Sequence, residues 1–170
     1  MTIKTRVRSL AGGEAALFRR LLDLFGDAFE EPETYRARQP DDDYIERLLA
    51  KDHFIALAAF DAEDRPIGAL TAYELQKFEQ ARSEIYIYDL AVRAENRRQG
   101  VATCLIRHLQ DLAAERRAWM IIVRADPVDE PAVALYSKLG RREDVLHFDI
   151  DVASIADAAV CPGGWPSRCR

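Results

Sequence analysis

The chain has 170 residues, of which 49% are hydrophobic and 31% are charged. This length fits one folded domain, and this mix of residues is that of a globular protein with a packed core rather than of a disordered chain. The net charge of −5 at pH 7 disfavours a polyanionic partner, so we expect no binding to nucleic acid.

Membrane and metal-binding signals are weak along the whole sequence. No apolar run approaches the roughly 20 residues that a membrane-spanning helix needs, and the first residues lack the apolar stretch of a signal peptide. We therefore expect a cytoplasmic protein that does not enter a membrane. The three cysteines form no CxxC pair, and His53, His108 and His147 are scattered, so we expect neither disulfides nor a metal site.

Strands and helices alternate in the first part of the chain. Residues 3–10 alternate as a strand does, and residues 14–25 place leucines on one helical face. Three aspartates begin a helix predicted over 42–50, because carboxylates favour helix N-termini. Two β-rich runs, 53–60 and 67–75, are separated by a short polar stretch, which predicts an antiparallel hairpin.

Residues 85–92, IYIYDLAV, are apolar on both faces, which is typical of a central strand. Tyr86 and Tyr88 in this strand are expected to pack. The other predicted elements are a helix over 101–116, a strand over 119–123, a helix over 130–139 and a last strand over 145–150. The order of elements predicts one α/β (α+β) domain over 1–152, followed by a mobile tail, 153–170, which is rich in Gly and Pro.

A strand, a basic turn and a helix N-terminus follow one another between residues 85 and 116. The turn contains Arg97 and Arg98, and Gly100 precedes the helix. The unpaired N–H groups and the dipole of a helix N-terminus suit a phosphate, and a glycine lets the backbone approach it. Spacing alone leaves a second interpretation open, a solvated turn that binds nothing.

The segment Arg97-Arg98-Gln99-Gly100-Val101-Ala102 resembles the Q/R-x-x-G-x-G/A signature of the GNAT acetyltransferases, and it follows a strand that ends in Leu-Ala-Val as expected. Residues 132–140, AVALYSKLG, resemble the later helix of that family. The segments LFGDAF, YRARQPDDDYI, FIALAAFD, KFEQARSEIYIYDLAV, ADPVDEPAVALY and HFDID narrow the resemblance to the type I aminoglycoside (gentamicin) 3-N-acetyltransferases. The likeness runs from about Leu24 to Asp151, and the C-terminal CPGGWPSRCR departs from the family.

The resemblance implies a GNAT fold, with a mixed, mostly antiparallel, twisted sheet that is splayed between its fourth and fifth strands and flanked by about four helices. It also implies acetyl-CoA as cosubstrate and a polycationic aminoglycoside as acceptor, with direct attack in a ternary complex and antibiotic resistance as the outcome. A homodimer is compatible with the resemblance. The residues expected at the cofactor are Leu90, Ala91, Val92, Arg97, Arg98, Gln99, Gly100, Val101, Ala102 and Thr103.

Asp89 and Tyr136 are the expected catalytic residues. An ionised carboxylate inside an apolar strand is costly without a partner, and the resemblance implies that Asp89 contacts the acceptor amine. The alternative is a buried aspartate that caps local N–H groups. Tyr136 is expected to protonate the CoA sulfur, whereas helix periodicity alone would make it a packing residue.

Further carboxylates are expected to line the acceptor cleft. Asp126, Asp129 and Glu130 lie in a loop before a helix, where they either attract a polycation or interact with the helix dipole. Glu79 and Glu84 flank the start of a central strand, where a solvated charged surface is the alternative.

Two other functions stay open at the level of sequence. A GNAT enzyme of this kind could acetylate another small amine or a protein N-terminus. A chain that binds acyl-CoA as a sensor without transferring the acyl group is the third hypothesis, although a sensor would need neither Asp89 nor Tyr136.

Overall fold

The computed structural model describes residues 5–150 and residue 152. The strands within this range are β1 (Arg6–Ser9), β2 (Phe54–Phe60), β3 (Pro66–Gln76), β4 (Ser83–Val92) and β5 (Ala118–Val123). The helices are α1 (Ala15–Phe29), α2 (Pro32–Tyr35), α3 (Asp42–Leu49), α4 (Val101–Glu115) and α5 (Glu130–Leu139), with a 3-10 helix at Ala94–Asn96. None of the described helices is long and apolar enough to cross a membrane.

The five strands form one sheet in the order β1-β2-β3-β4-β5. Neighbouring strands are antiparallel except for β4 and β5, which are parallel. Parallel neighbours require a long crossover connection, and α4 supplies it. This mixed sheet with flanking helices is the GNAT fold that the sequence predicted.

The core lies on both faces of β2, whose seven residues are all buried. Small residues such as Ala56 and Ala58 let α1 approach one face, where they join a cluster that includes Phe18, Leu21 and Phe25. Helix α4 lies on the opposite face of the sheet, and its buried residues, from Val101 onward, follow helical spacing. The complete burial of β2 explains why its sequence is apolar without alternation.

The structure differs from the prediction at two elements. The short helix α2 was not predicted, because four residues are too few to show helical periodicity, although Pro32 at its first position suits a helix start. The last strand predicted over 145–150 is wrong, since residues 141–150 form no helix or strand. Alternation alone does not make a strand, because a strand needs a paired neighbour, and the described residues form no ladder there.

The chain divides into two compact units, residues 1–135 and residues 136–170. The first holds the sheet and α1 to α4. The described part of the second contains the end of α5 and an extended segment with ion pairs between Arg142 and Asp144 and between His147 and Asp149. The domain boundary expected at 152 stays a prediction, and the expected tail, 153–170, lies outside the described residues.

Candidate active site

A bulge in β4 determines where Asp89 points. The pairing of β3 with β4 passes from Thr71 and Asp89 directly to Ala72 and Ile87, which leaves Tyr88 as an extra residue in β4. Such a bulge bends a strand and changes the direction of its side chains. As a result Asp89, which pairs with Thr71, lies on the same face of the sheet as the cluster beneath α1 and α2.

The carboxylate of Asp89 has one hydrogen-bond donor among the described residues, the hydroxyl of Tyr35, at 3.2 Å from Oδ2. Burial raises the pKa of Asp89, the hydrogen bond from Tyr35 lowers it, and the negative charge of Glu31 raises it, with an upward net result. Burial, followed by the charge of Asp89, also raises the pKa of Tyr35. The tyrosine therefore stays protonated and donates to the carboxylate.

Three tyrosines form an aromatic surface beside Asp89. The ring centroid of Tyr88 lies 5.9 Å from that of Tyr73 and 6.3 Å from that of Tyr86, both in edge-to-face contact. Arg124 lies over the ring of Tyr86, 5.4 Å from its centroid, and donates a hydrogen bond to its hydroxyl. Tyr86 and Tyr88 therefore pack against each other as expected, but Tyr88 is not in the core, since 63% of this residue is exposed.

Two backbone N–H groups of β4 lie beyond the end of its ladder with β5. The N–H of Arg93 donates to the carbonyl oxygen of Ile67 at 2.9 Å. Because bonded and non-bonded pairs alternate along an antiparallel ladder, the N–H groups of Leu90 and Val92 point away from β3, toward the side of β5. The ladder with β5 ends at Ile87 and Val123, so these two groups lie beyond it.

The turn between β4 and α4 brings a helix N-terminus to the end of this opening. Gly100 has a left-handed φ of 86°, and a Cβ placed there would meet no atom within 4 Å. The first helical hydrogen bond runs from the N–H of Cys104 to the carbonyl oxygen of Gly100, at 2.9 Å. The N–H groups of the first turn of α4 therefore point out of the helix end, as an anion site requires.

The two arginines of the turn differ in what they contact. Arg97 donates from Nε to the carbonyl oxygen of Val92 at 3.1 Å and from Nη2 to that of Ala28 at 3.3 Å. It therefore fixes the turn to β4 and to the end of α1, in addition to any role at a phosphate. Arg98 is exposed and has a left-handed φ of 62°.

The acidic loop after β5 begins at the same edge of the sheet as Asp89, because β4 and β5 run parallel. Asp126 accepts a hydrogen bond from the N–H of Val128 at 3.1 Å. Asp129 accepts one from the N–H of Ala132, also at 3.1 Å, and therefore caps α5. Glu130 is the first residue of α5, and all three carboxylates are exposed.

Glu79 and Glu84 lie away from this cluster. Asp89 is five positions further along β4 than Glu84, about 16 Å at the spacing of a strand. Lys77 Nζ lies 3.4 Å from a carboxylate oxygen of each glutamate. The side chain of Glu79 is 39% exposed, as a solvated charged surface requires, whereas that of Glu84 is only 12% exposed.

Tyr136 occupies the middle of α5 and is partly buried. Its carbonyl oxygen accepts a hydrogen bond from the N–H of Gly140 at 2.8 Å, which closes the helix. Its catalytic role stays a prediction. Among the described residues, no group of three or more His, Cys, Asp or Glu residues is placed to hold a metal ion.

Comparisons with known proteins agree with this geometry. Residues 18–140 match the model of the acetyltransferase (GNAT) family. The chain belongs to this family. Members of the GNAT family use acetyl-CoA. No curated protein sequence matches the chain.

Several solved structures share the GNAT fold with this chain. An aminoglycoside acetyltransferase, HMB0005, from an uncultured soil metagenomic sample is 54% identical, with a TM-score of 0.87, over 89% of this chain and 100% of that chain. A second aminoglycoside acetyltransferase from such a sample, meta-AAC0020 in complex with sisomicin, is 28% identical, with a TM-score of 0.80 over 88% and 97% of the two chains. A ribosomal-protein-alanine N-acetyltransferase from Brucella melitensis biovar Abortus 2308 is 26% identical, with a TM-score of 0.69 over 87% and 99%.

Sequence reasoning missed Tyr35 and Glu31 as neighbours of Asp89. Both lie in a segment with no periodicity, and only the packing of α2 against α1 brings them to β4. The charge-rich sequence around Pro32 was the available signal, and it did not indicate which residues face the site.

Proposed function

We propose that the protein is an aminoglycoside 3-N-acetyltransferase that transfers acetyl from acetyl-CoA to gentamicin-type antibiotics. The observation that carries the aminoglycoside part is the 54% identity to an aminoglycoside acetyltransferase over the whole of that chain. The relative in complex with sisomicin supports the same class of acceptor. The 3-amino position and gentamicin rest on the resemblance of the sequence alone.

The surface around Asp89 suits a polycationic acceptor. The carboxylates of Asp89 and Glu31 are close enough to influence each other, so an ammonium group between them would relieve their repulsion. The exposed ring of Tyr88 offers a face to a neighbouring ammonium group, an attraction worth about 0.5–1 kcal/mol at exposed sites. Asp126, Asp129 and Glu130 add negative charge along the same edge, which favours the approach of a polycation. Glu84 lies too far along β4 to contact the same amine, and Glu79, in the loop before β4, is paired with Lys77.

The far end of the opening suits the cosubstrate. The first turn of α4 presents N–H groups to a pyrophosphate, and the open space at Gly100 leaves room for it. Arg98, Gln99, Ala102 and Thr103 are proposed to border this position because they adjoin Gly100 in the chain. Leu90, Ala91 and Val92 form the strand along which the acyl arm would lie.

Acetyl-CoA, when bound, supplies an acetyl group activated as a thioester. The N–H groups of Leu90 and Val92 are directed to donate to an acyl oxygen there, a contribution worth several kcal/mol in related chemistry, about 3–4 per donor. Asp89 accepts the proton of the acceptor amine directly or through one water, which requires its ionised form. Tyr136 is proposed to donate a proton to the sulfur, on the resemblance of its helix.

The test is CoA release from acetyl-CoA in parallel with gentamicin, sisomicin, spermidine, a peptide with N-terminal alanine, and no acceptor. The proposal expects turnover with the two antibiotics alone, followed by NMR of the product to locate the acetyl group. Turnover only with spermidine or the peptide would replace the acceptor and keep the enzyme class. Binding of acetyl-CoA without turnover of any amine would favour the sensor.

Resistance is tested by expression in a susceptible bacterial strain. The proposal expects a higher inhibitory concentration of gentamicin than with a strain that expresses Asp89→Asn. The cytoplasmic location and the homodimer stay predictions of the sequence.

A further inference from the structure

Tyr35 is the last residue of α2, and its hydroxyl reaches Asp89 across the face of the sheet. The distance from the hydroxyl to Oδ2 is 3.2 Å. Oδ1 of Asp89 has no donor among residues 5–150 and 152, so it is the oxygen that remains for an amine. The tyrosine and an acceptor amine would therefore contact different oxygens of one carboxylate.

Aromatic contacts hold the Tyr35 ring. Its centroid lies 5.8 Å from that of Phe25 and 5.7 Å from that of Phe29, both on α1. Gly26 lies below it, and a Cβ at that position would come within 3.2 Å of the Tyr35 Cβ. The close approach of α2 to α1 thus restricts where the ring, and with it the hydroxyl, can go.

Ion pairs hold the residue that follows. The guanidinium of Arg36 lies 2.5 Å from Asp27 and 3.6 Å from Asp23, and it also donates to the backbone carbonyl oxygen of Asp23 at 3.2 Å. All three contacts are made to α1. Tyr35 is therefore attached to the scaffold on both its side chain and its backbone, which is what a group that orients another requires.

The groups that surround the carboxyl of Asp89 come from α2 and the residue before it, from β3 and from β4. Tyr35 donates to it from α2, Glu31 repels its charge from the residue before α2, and Tyr73 on β3 and Tyr88 on β4 lie nearby. Among these, Tyr35 alone favours the charged form. Burial and Glu31 both favour the protonated form.

We propose that Tyr35 is a positioning residue, which holds the carboxylate of Asp89 toward the acceptor amine and keeps it ionised. Its consequence for turnover rests on the proposed acetyltransferase function. The chemistry is an ordinary one, since a hydroxyl that donates to a carboxylate stabilises the charged form and fixes its plane. Tyr35→Phe removes this donor and leaves the ring contacts in place.

The experiment compares the wild type, Tyr35→Phe and the matched control Tyr44→Phe, whose exposed tyrosine on α3 has no hydrogen bond to Asp89. The pH profile of kcat/KM with acetyl-CoA and sisomicin is measured for each. Loss of the donor raises the pKa of Asp89, so the acid limb of Tyr35→Phe moves to higher pH. At a pH on that limb its kcat/KM is expected to fall about tenfold, and the difference narrows as the pH rises. Tyr44→Phe keeps the wild-type profile.

A second measurement does not depend on turnover. The ¹³C carboxyl shift of Asp89, assigned with Asp89→Asn, is titrated in the wild type and in Tyr35→Phe without substrate. A higher midpoint in Tyr35→Phe supports the proposal, and equal midpoints overturn it even if activity falls. If the wild type acetylates no aminoglycoside, the proposed function fails, and the titration still decides whether Tyr35 keeps Asp89 ionised.

Discussion

Gly68 on β3 is the position where α4 comes closest to the sheet, and replacing it by alanine tests that packing. A Cβ at residue 68 would lie 2.9 Å from Val101 Cγ1, 3.2 Å from Leu105 Cδ1 and 3.3 Å from the carbonyl oxygen of Ala91. Val101 and Leu105 are fully buried in the first two turns of α4, so neither can move without moving the helix. Gly68→Ala is therefore expected to lift the N-terminus of α4 from the sheet.

The size of the effect follows from two opposing terms. Overpacking a core by one methyl group costs about 1–3 kcal/mol, while replacing glycine by alanine recovers about 0.4–1 kcal/mol of unfolded-state entropy. The net loss is about 1–2 kcal/mol, which lowers the melting temperature by about 2–8 °C in a domain of this size. Since Gly100 and the N–H groups that suit a pyrophosphate begin the same helix, KM for acetyl-CoA should rise more than KM for the acceptor.

Thermal melts followed by circular dichroism and the two KM values form the assay. Gly12→Ala is the matched control, because its Cβ would meet only Glu46 Oε2, at an ordinary 3.7 Å. The free energy of unfolding of this control should lie within about 1 kcal/mol of the wild-type value. A Gly68→Ala protein with wild-type melting temperature and wild-type KM for acetyl-CoA would refute the reasoning about this contact.

Three further predictions test single residues. Asp89→Asn should abolish most turnover and leave acetyl-CoA affinity unchanged. Because burial raises the pKa of Asp89, the wild type loses stability as pH rises through that pKa. The variant should therefore melt at or above the wild-type temperature at pH 7 and lose this advantage in acid. Gly100→Ala should cost about 1 kcal/mol of stability through left-handed strain. Gly100→Glu should cost the same and should also weaken acetyl-CoA binding, measured by calorimetry. Equal affinities of the two variants for acetyl-CoA would exclude a phosphate near this position. Asp129→Asn keeps an N-cap and should raise only KM for the aminoglycoside, whereas Asp129→Ala should also lose about 1 kcal/mol of stability. An unchanged KM in both variants would mean that Asp129 acts only as a helix cap.

The sequence by itself determined the elements with strong periodicity and the turn that follows the central strand. Burial determines which residue types a position accepts, so it can be predicted from the sequence. It accounts for the apolar runs of β2 and β4 and for the amphipathic pattern of α1 and α4. The Gly100 motif is equally local, because a left-handed backbone and a helix N-terminus are properties of adjacent residues. These features were sufficient to predict the GNAT fold and a position for the cosubstrate.

Only the tertiary structure decided which polar residues meet at the acceptor side. The bulge at Tyr88 leaves exposed a tyrosine that the sequence led us to expect as a packing residue, and a bulge depends on pairing with another strand. Tyr35 contacts Asp89 from a helix that is too short to show helical periodicity in the sequence. Glu84 lies far from Asp89 along β4 and is paired with Lys77 instead. Hydrogen bonds and ion pairs between distant segments depend on how elements pack, and no spacing along the chain encodes them.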